Sequence, residues 1–307
     1  MNNMPINVDV PAQALPGGRS RPGTLPQLPE TAFGCARDFW GQQYVYTVIS
    51  PRARGLSVGI NLNPDRYCNF DCVYCEVNRD AASGSKTVDL NILADELEAT
   101  LQNCGTGRLR ERPCYRNVPD ELLQLRHITL SGDGEPTLCD QFEDILRIAV
   151  HRRALRPQSF LKLVLITNTA GLDRPAVQSA LRLMTPQDEI WAKLDAGSQE
   201  DMDRINRTSM RLETVLKNIL EVSRQRPVII QSLFSAIDGE KPAEQQINSY
   251  VERLASLKSD GANIPLVQIY SPTRPTPGST CTHLPLRTLS EIARRVREET
   301  GLRAEVF

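Results

Sequence analysis

Leu161-Lys-Leu-Val-Leu-Ile-Thr167 is almost wholly apolar, and a helical pattern follows it over residues 176–184. A short apolar run of this kind reads as a strand buried on both faces. The same alternation continues outward in both directions. Toward the N-terminus, Tyr44-Val-Tyr-Thr-Val48 and residues 56–62 (LSVGINL) read as strands. Residues 90–101 carry Leu90, Leu93, Ala94, Leu97 and Leu101 on one helical face, 128–130 form a short strand, and 142–150 a helix. Toward the C-terminus, strands over 189–194, 228–234 (VIIQSLF) and 266–270 (LVQIY) alternate with helices over 213–223, 244–257 and 289–299. Apolar strands separated by helices make a parallel sheet covered by helices. Counted from Leu56 there are six strand–helix units. Six suit an open or partial barrel better than a complete eight-unit one, with a flat doubly wound sheet as the structural rival. In both, the working residues belong at the C-terminal ends of strands.

The composition is that of an ordinary globular chain, 40% hydrophobic and 24% charged, with a net charge of −1. That balance supplies no strong field for nucleic acid or anionic membrane. No apolar run reaches the roughly 20 residues of a membrane span, and no secretory leader is visible, so a cytoplasmic location is expected. Residues 1–40 are rich in proline and poor in apolar groups and read as a disordered tail, leaving 41–307 as one domain.

Thiols in the cytoplasm are normally reduced, so the eight cysteines need another reason. Three of them form Cys68-Asn-Phe-Asp-Cys72-Val-Tyr-Cys75, directly after a strand. Thiolates are the usual ligands of iron–sulfur clusters. Three on one loop can hold three irons of a cube and leave the fourth iron to an outside ligand. A structural zinc site wants four ligands, and the three histidines, His127, His151 and His283, lie far downstream with no second C-x2-C pair. The bacterial ferredoxin run has a different spacing and a fourth cysteine. A zinc-stabilised binding protein and a purely electron-carrying cluster protein remain the non-catalytic alternatives.

The C-x3-C-x2-C spacing with Tyr74 before the last cysteine resembles the signature of the radical S-adenosylmethionine (SAM) superfamily. The resemblance implies a partial (β/α)6 TIM-like barrel with an N-terminal extension. It implies a [4Fe–4S] cluster on Cys68, Cys72 and Cys75, with SAM chelating the fourth iron and Tyr74 near the adenine. Electrons would come from an external one-electron donor such as flavodoxin or ferredoxin. Reductive cleavage of SAM would then give a 5′-deoxyadenosyl radical that abstracts hydrogen from a substrate, whether small molecule, peptide or RNA.

The strand tips supply the remaining candidates. In SGDGEPT (residues 131–137), Gly132 and Gly134 permit backbone conformations and close approaches that side chains forbid. Gly134-Glu135-Pro136 resembles the stretch that binds the SAM amino group in the superfamily. A plain turn is the alternative. Asn168 ends the third core strand, and Lys193 and Asp195 end the fourth. Asp195 is expected to reach ribose hydroxyls and Lys193 the SAM carboxylate, against the alternative of a salt bridge between loops. Gln231, inside an apolar strand, needs hydrogen-bond partners and serves either structure or SAM.

Three further stretches, Arg54 to Asn61, Arg204-Ile-Asn-Arg207 and Tyr270 to Pro275, resemble a subgroup that includes the wybutosine-synthesising tRNA enzymes. Those carry extra cysteines upstream for a second cluster. Here only Cys35 lies upstream, and Cys104, Cys114, Cys139 and Cys281 are scattered, so one cluster is expected. Arg152, Arg153 and Arg156 form the clearest basic run and read as a solvated helix end.

Overall fold

A computed structural model of the chain describes residues 39–79, 84–156, 161–273 and 281–307. The proline-rich tail through residue 38, Cys35, Arg274 and Pro275 lie outside the described residues. The elements run β1 (Val45–Ser50), β2 (Gly55–Ile60), α1 (Leu90–Gly105), α2 (Asp120–Leu123), β3 (Leu125–Leu130), α3 (Phe142–Ala154), β4 (Lys162–Thr167) and α4 (Pro175–Leu181). They continue with β5 (Glu189–Lys193), α5 (Gln199–Asn206), α6 (Leu212–Ser223), β6 (Val228–Leu233), α7 (Glu244–Ser259), β7 (Val267–Tyr270), α8 (Leu286–Thr300) and β8 (Ala304–Val306). Among the described residues no helix is long and apolar enough to cross a membrane.

All eight strands form one sheet in sequence order, with β1 antiparallel to β2 and every later pair parallel. The sheet is an open, partial α/β barrel, as the alternation of strands and helices implies. It extends one strand beyond the six-unit count. β8 pairs with β7 after the last helix, and its Ala-Glu-Val has no run long enough to read as a strand.

Side chains alternate across each strand. Leu163 and Leu165 of β4, Ile190 and Ala192 of β5 and Ile230 of β6 enter the large core beneath the helices. Val164, Trp191 and Ile229, from the opposite parity, form a separate small cluster. The strands therefore read as continuous apolar runs because both faces are covered. At the strand tips the inward parity falls on polar residues, and this sets the position of the site.

The basic run of α3 is not a solvated end. Arg153 pairs with the buried Asp188, and Arg152 and Arg156 both reach Glu98 of α1. These arginines fasten α3 to its neighbours.

Candidate functional site

The cysteine loop leaves the tip of β2 and is held from two sides. On one side, Glu135 N donates to the Tyr67 carbonyl at 3.1 Å. A Cβ at Gly134 would run into that same carbonyl oxygen, so glycine is what lets the two loops touch. Gly132, at φ +153°, sits against Asn61 in the same way. Asn61 Nδ2 donates to Asp133 at 2.9 Å, and its Oδ1 accepts from Asp133 N at 3.1 Å. The glycines of SGDGEPT thus make room for neighbouring protein. On the other side, the C-terminus of α5 grips the loop. Asp71 N donates to the Asn206 carbonyl at 3.0 Å and Val73 N to the Ile205 carbonyl at 2.9 Å.

Cys68, Cys72 and Cys75 all face one cavity of about 490 Å³ at the strand tips. That volume suits a small-molecule or cofactor site. Each sulfur has a side-chain N–H donor from a different part of the chain. Asn168 Nδ2 lies 3.6 Å from Cys68 Sγ, Asn206 Nδ2 3.3 Å from Cys72 Sγ, and Arg79 3.4 Å from Cys75 Sγ. Phe70 N adds a donor to Cys68 at 3.4 Å. Without metal, burial pushes the Cys68 thiol up to about 12, with Glu135 adding to the effect. It pushes Cys72 up to about 11, with Asp195 adding. Among the described residues no three His, Cys, Asp or Glu side chains converge closely enough for one ion. Ligands to three different irons of a cube stand further apart than ligands to a single ion. Three cavity-facing sulfurs, each with an N–H donor, fit the donor set of an iron–sulfur cluster.

The cavity wall includes Tyr74, Gly132, Gly134, Glu135, Asn168, Lys193 and Gln231. Asp195 lies elsewhere, on a neighbouring small pocket. Its buried carboxylate accepts from the Tyr74 hydroxyl, from Asn206 Nδ2 at 3.0 Å and from Leu233 N at 2.8 Å. It also pairs with Lys193 at 3.4 Å. Burial alone would lower the Lys193 pKa, but Asp195 and Tyr270 outweigh it and hold the ammonium protonated. Lys193 Nζ donates to the Tyr270 hydroxyl at 2.9 Å and sits 4.8 Å from the centre of the Tyr74 ring. Gln231 donates to Gln268 at 3.2 Å and accepts from the Tyr270 hydroxyl at 3.4 Å.

Glu135 is buried, and its carboxylate accepts from Thr137 N and Oγ1, from Thr167 Oγ1 and from Asn168 N at 2.7 Å. Burial raises its pKa, opposed by those four donors. Its visible work is to tie the SGDGEPT loop to the tip of β4 and so to place Asn168. Arg79, Asn206, Gln268 and Tyr270 complete the site. Asn206 and Tyr270 stand in stretches already singled out by resemblance, whereas Arg79 carries no signal of its own. Cys104, Cys114, Cys139 and Cys281 are not on this wall.

The open barrel with its C-x3-C-x2-C loop at the strand tips is similar in fold to solved radical SAM proteins. No family model matches the chain. UPF0026 protein slr1464 of Synechocystis is 28% identical over 240 residues, covering 76% of this chain and 77% of that protein. A radical SAM methyltransferase from Sphaerobacter thermophilus superposes with a TM-score of 0.59 at 13% identity, over 88% of this chain and 71% of that one. Streptococcus suis SuiB bound to S-adenosylmethionine gives 0.54 at 15% identity, over 83% of this chain. The chain spans only about half of SuiB, 52% of its length. TYW1 with a lysine–pyruvate adduct gives 0.55 at 14% identity, over 84% of each chain.

Proposed function

We infer that this chain is a radical SAM enzyme. Cys68, Cys72 and Cys75 hold a [4Fe–4S] cluster, and SAM fills the cavity beside it. The observation that carries this reading is the set of three sulfurs on one cavity, each facing its own N–H donor. A cluster held by these three cysteines would supply the one-electron chemistry that cleaves SAM reductively into methionine and a 5′-deoxyadenosyl radical for hydrogen abstraction.

The protein's own contribution is position and enclosure. Asn168, Asn206 and Arg79 orient the sulfurs and offset their negative charge. The Tyr74 hydroxyl is fixed by Asp195 and its ring by Lys193, which holds an aromatic surface beside Cys75 for the adenine. Asp195 acts through these two neighbours and is a positioning residue. The backbone at Gly132 and Gly134 forms the wall on which the SAM amino group would rest. The apolar floor of Ile166, Trp191 and Leu233 keeps water from a reactive intermediate. An external donor such as flavodoxin or ferredoxin delivers the electron.

The test uses anaerobically purified, reconstituted protein. Iron and sulfide in roughly equal amounts, and 5′-deoxyadenosine on adding dithionite and SAM, support the reading. Zinc alone points to a binding protein. An intact cluster that yields no 5′-deoxyadenosine and shows no spectral response to SAM points to an electron carrier.

A further inference from the structure

Three permanent cations stand on the cavity wall, Arg52, Arg79 and Lys193. Two have partners. Lys193 faces Asp195, and Arg79 donates to Cys75 Sγ and to the carbonyls of Arg66 and Asp133. Arg52 differs. Among the described residues it makes no ion pair and donates no hydrogen bond. Its guanidinium lies 4.3 Å from the centre of the Tyr270 ring, and its Nε is buried without a partner. Neither Glu76, Asp133 nor Glu135, the carboxylates on the same wall, pairs with it.

The turn between β1 and β2 explains how Arg52 is presented. Arg54 N donates to the Pro51 carbonyl at 3.1 Å and Ala53 N to Ser50 Oγ at 3.2 Å, which closes the turn. The Arg54 side chain reaches across to Glu305 of β8 at 3.4 Å and so pins the turn to the far edge of the sheet. Arg52, two residues earlier, is left facing the cavity. Burying a guanidinium N–H without an acceptor is costly. Stacking on an aromatic ring fixes its plane and leaves its N–H fork for a planar or tetrahedral oxyanion. Val48, Ile49 and Phe307 border the same region and favour an otherwise apolar ligand.

We propose that Arg52 receives an anionic group, carboxylate or phosphate, of a small-molecule substrate. This rests on the radical SAM reading for the word substrate, but the anion site itself does not depend on the cluster. The experiment titrates the full-length reconstituted protein, with and without SAM, with acetate and with inorganic phosphate. Calorimetry follows binding, and the 15Nε–H resonance of Arg52 reports its location. Saturable binding of one ion is expected, and which ion binds distinguishes carboxylate from phosphate. Arg52→Met should weaken it about tenfold or more, while Arg287→Met, on the exposed face of α8, leaves it in place. Iron content and SAM affinity should be unchanged in Arg52→Met. The proposal is overturned if neither ion saturates the wild type, if Arg52→Met binds as well as wild type, or if Arg52→Met weakens SAM itself, which would assign Arg52 to the SAM carboxylate. Failure of the radical SAM reading would show separately, as wild-type protein lacking iron or 5′-deoxyadenosine.

Discussion

Asn206 Nδ2 lies 3.3 Å from Cys72 Sγ and 3.0 Å from Asp195, so one amide joins the cysteine loop to the end of β5. Hydrogen bonds to cluster sulfurs raise the reduction potential, because they stabilise the more negative reduced state. With the proposed cluster in place, Asn206→Leu should therefore make it harder to reduce, by on the order of 50 mV, equivalent to tenfold in the one-electron equilibrium. A redox titration followed by electron paramagnetic resonance measures this. An unchanged potential would show that the contact has no influence on the cluster.

Gly134→Ala places a methyl group on the Tyr67 carbonyl, where only backbone can give way. Loss of most bound iron and a clear drop in the melting midpoint are expected. Gly105→Ala is the control. Its Cβ meets nothing within 4 Å at the end of α1, and the change should stabilise by roughly 0.5–1 kcal/mol. Iron analysis and thermal melts of both variants decide the matter.

Asp195→Ala leaves Lys193 buried without its counter-charge and strips Tyr74, Asn206 and Leu233 of an acceptor. The expected loss is roughly 3–5 kcal/mol. Lys193→Met added to that variant should recover part of the loss, because the unpaired charge is gone. Urea midpoints of the single and double variants give the coupling. A double variant no more stable than Asp195→Ala would count against it.

His127 is buried beside Trp191, with ring centres 5.7 Å apart, and burial lowers its pKa to about 4 despite the opposing pull of Glu189. The unfolded chain binds a proton at the ordinary value of 6.5, well before the folded one does. Stability from this group is complete above pH 6.5 and is lost as pH falls toward 4, by on the order of 3 kcal/mol. His127→Phe should flatten that part of the stability–pH curve measured by urea unfolding. A variant as acid-sensitive as wild type in this window would contradict the assignment.

The barrel strands were legible because burial on both faces leaves a continuous apolar record, as in residues 161–167. The cysteines were legible because their grouping is local. α5 left no such record. Gln-Glu-Asp-Met-Asp-Arg-Ile-Asn is mostly polar, and its work is done by terminal carbonyls and one amide. Asn206 and Cys72 are 134 positions apart, so no local window relates them. Asp195 shows a different gap. Its position at a strand tip suggested the cavity, but β5 ends at Lys193, and past that point alternation no longer dictates which way a side chain faces.

The cysteine loop is clasped between the segment at Gly134 and the end of α5, neither of which adjoins it along the chain. A synthetic peptide copying residues 65–79 would keep the spacing of the thiols but lose both clamps and two of the three amide or guanidinium partners. Transplanting the motif into another scaffold would demand all three segments together, which makes the barrel rim, and not the short cysteine stretch, the smallest portable unit.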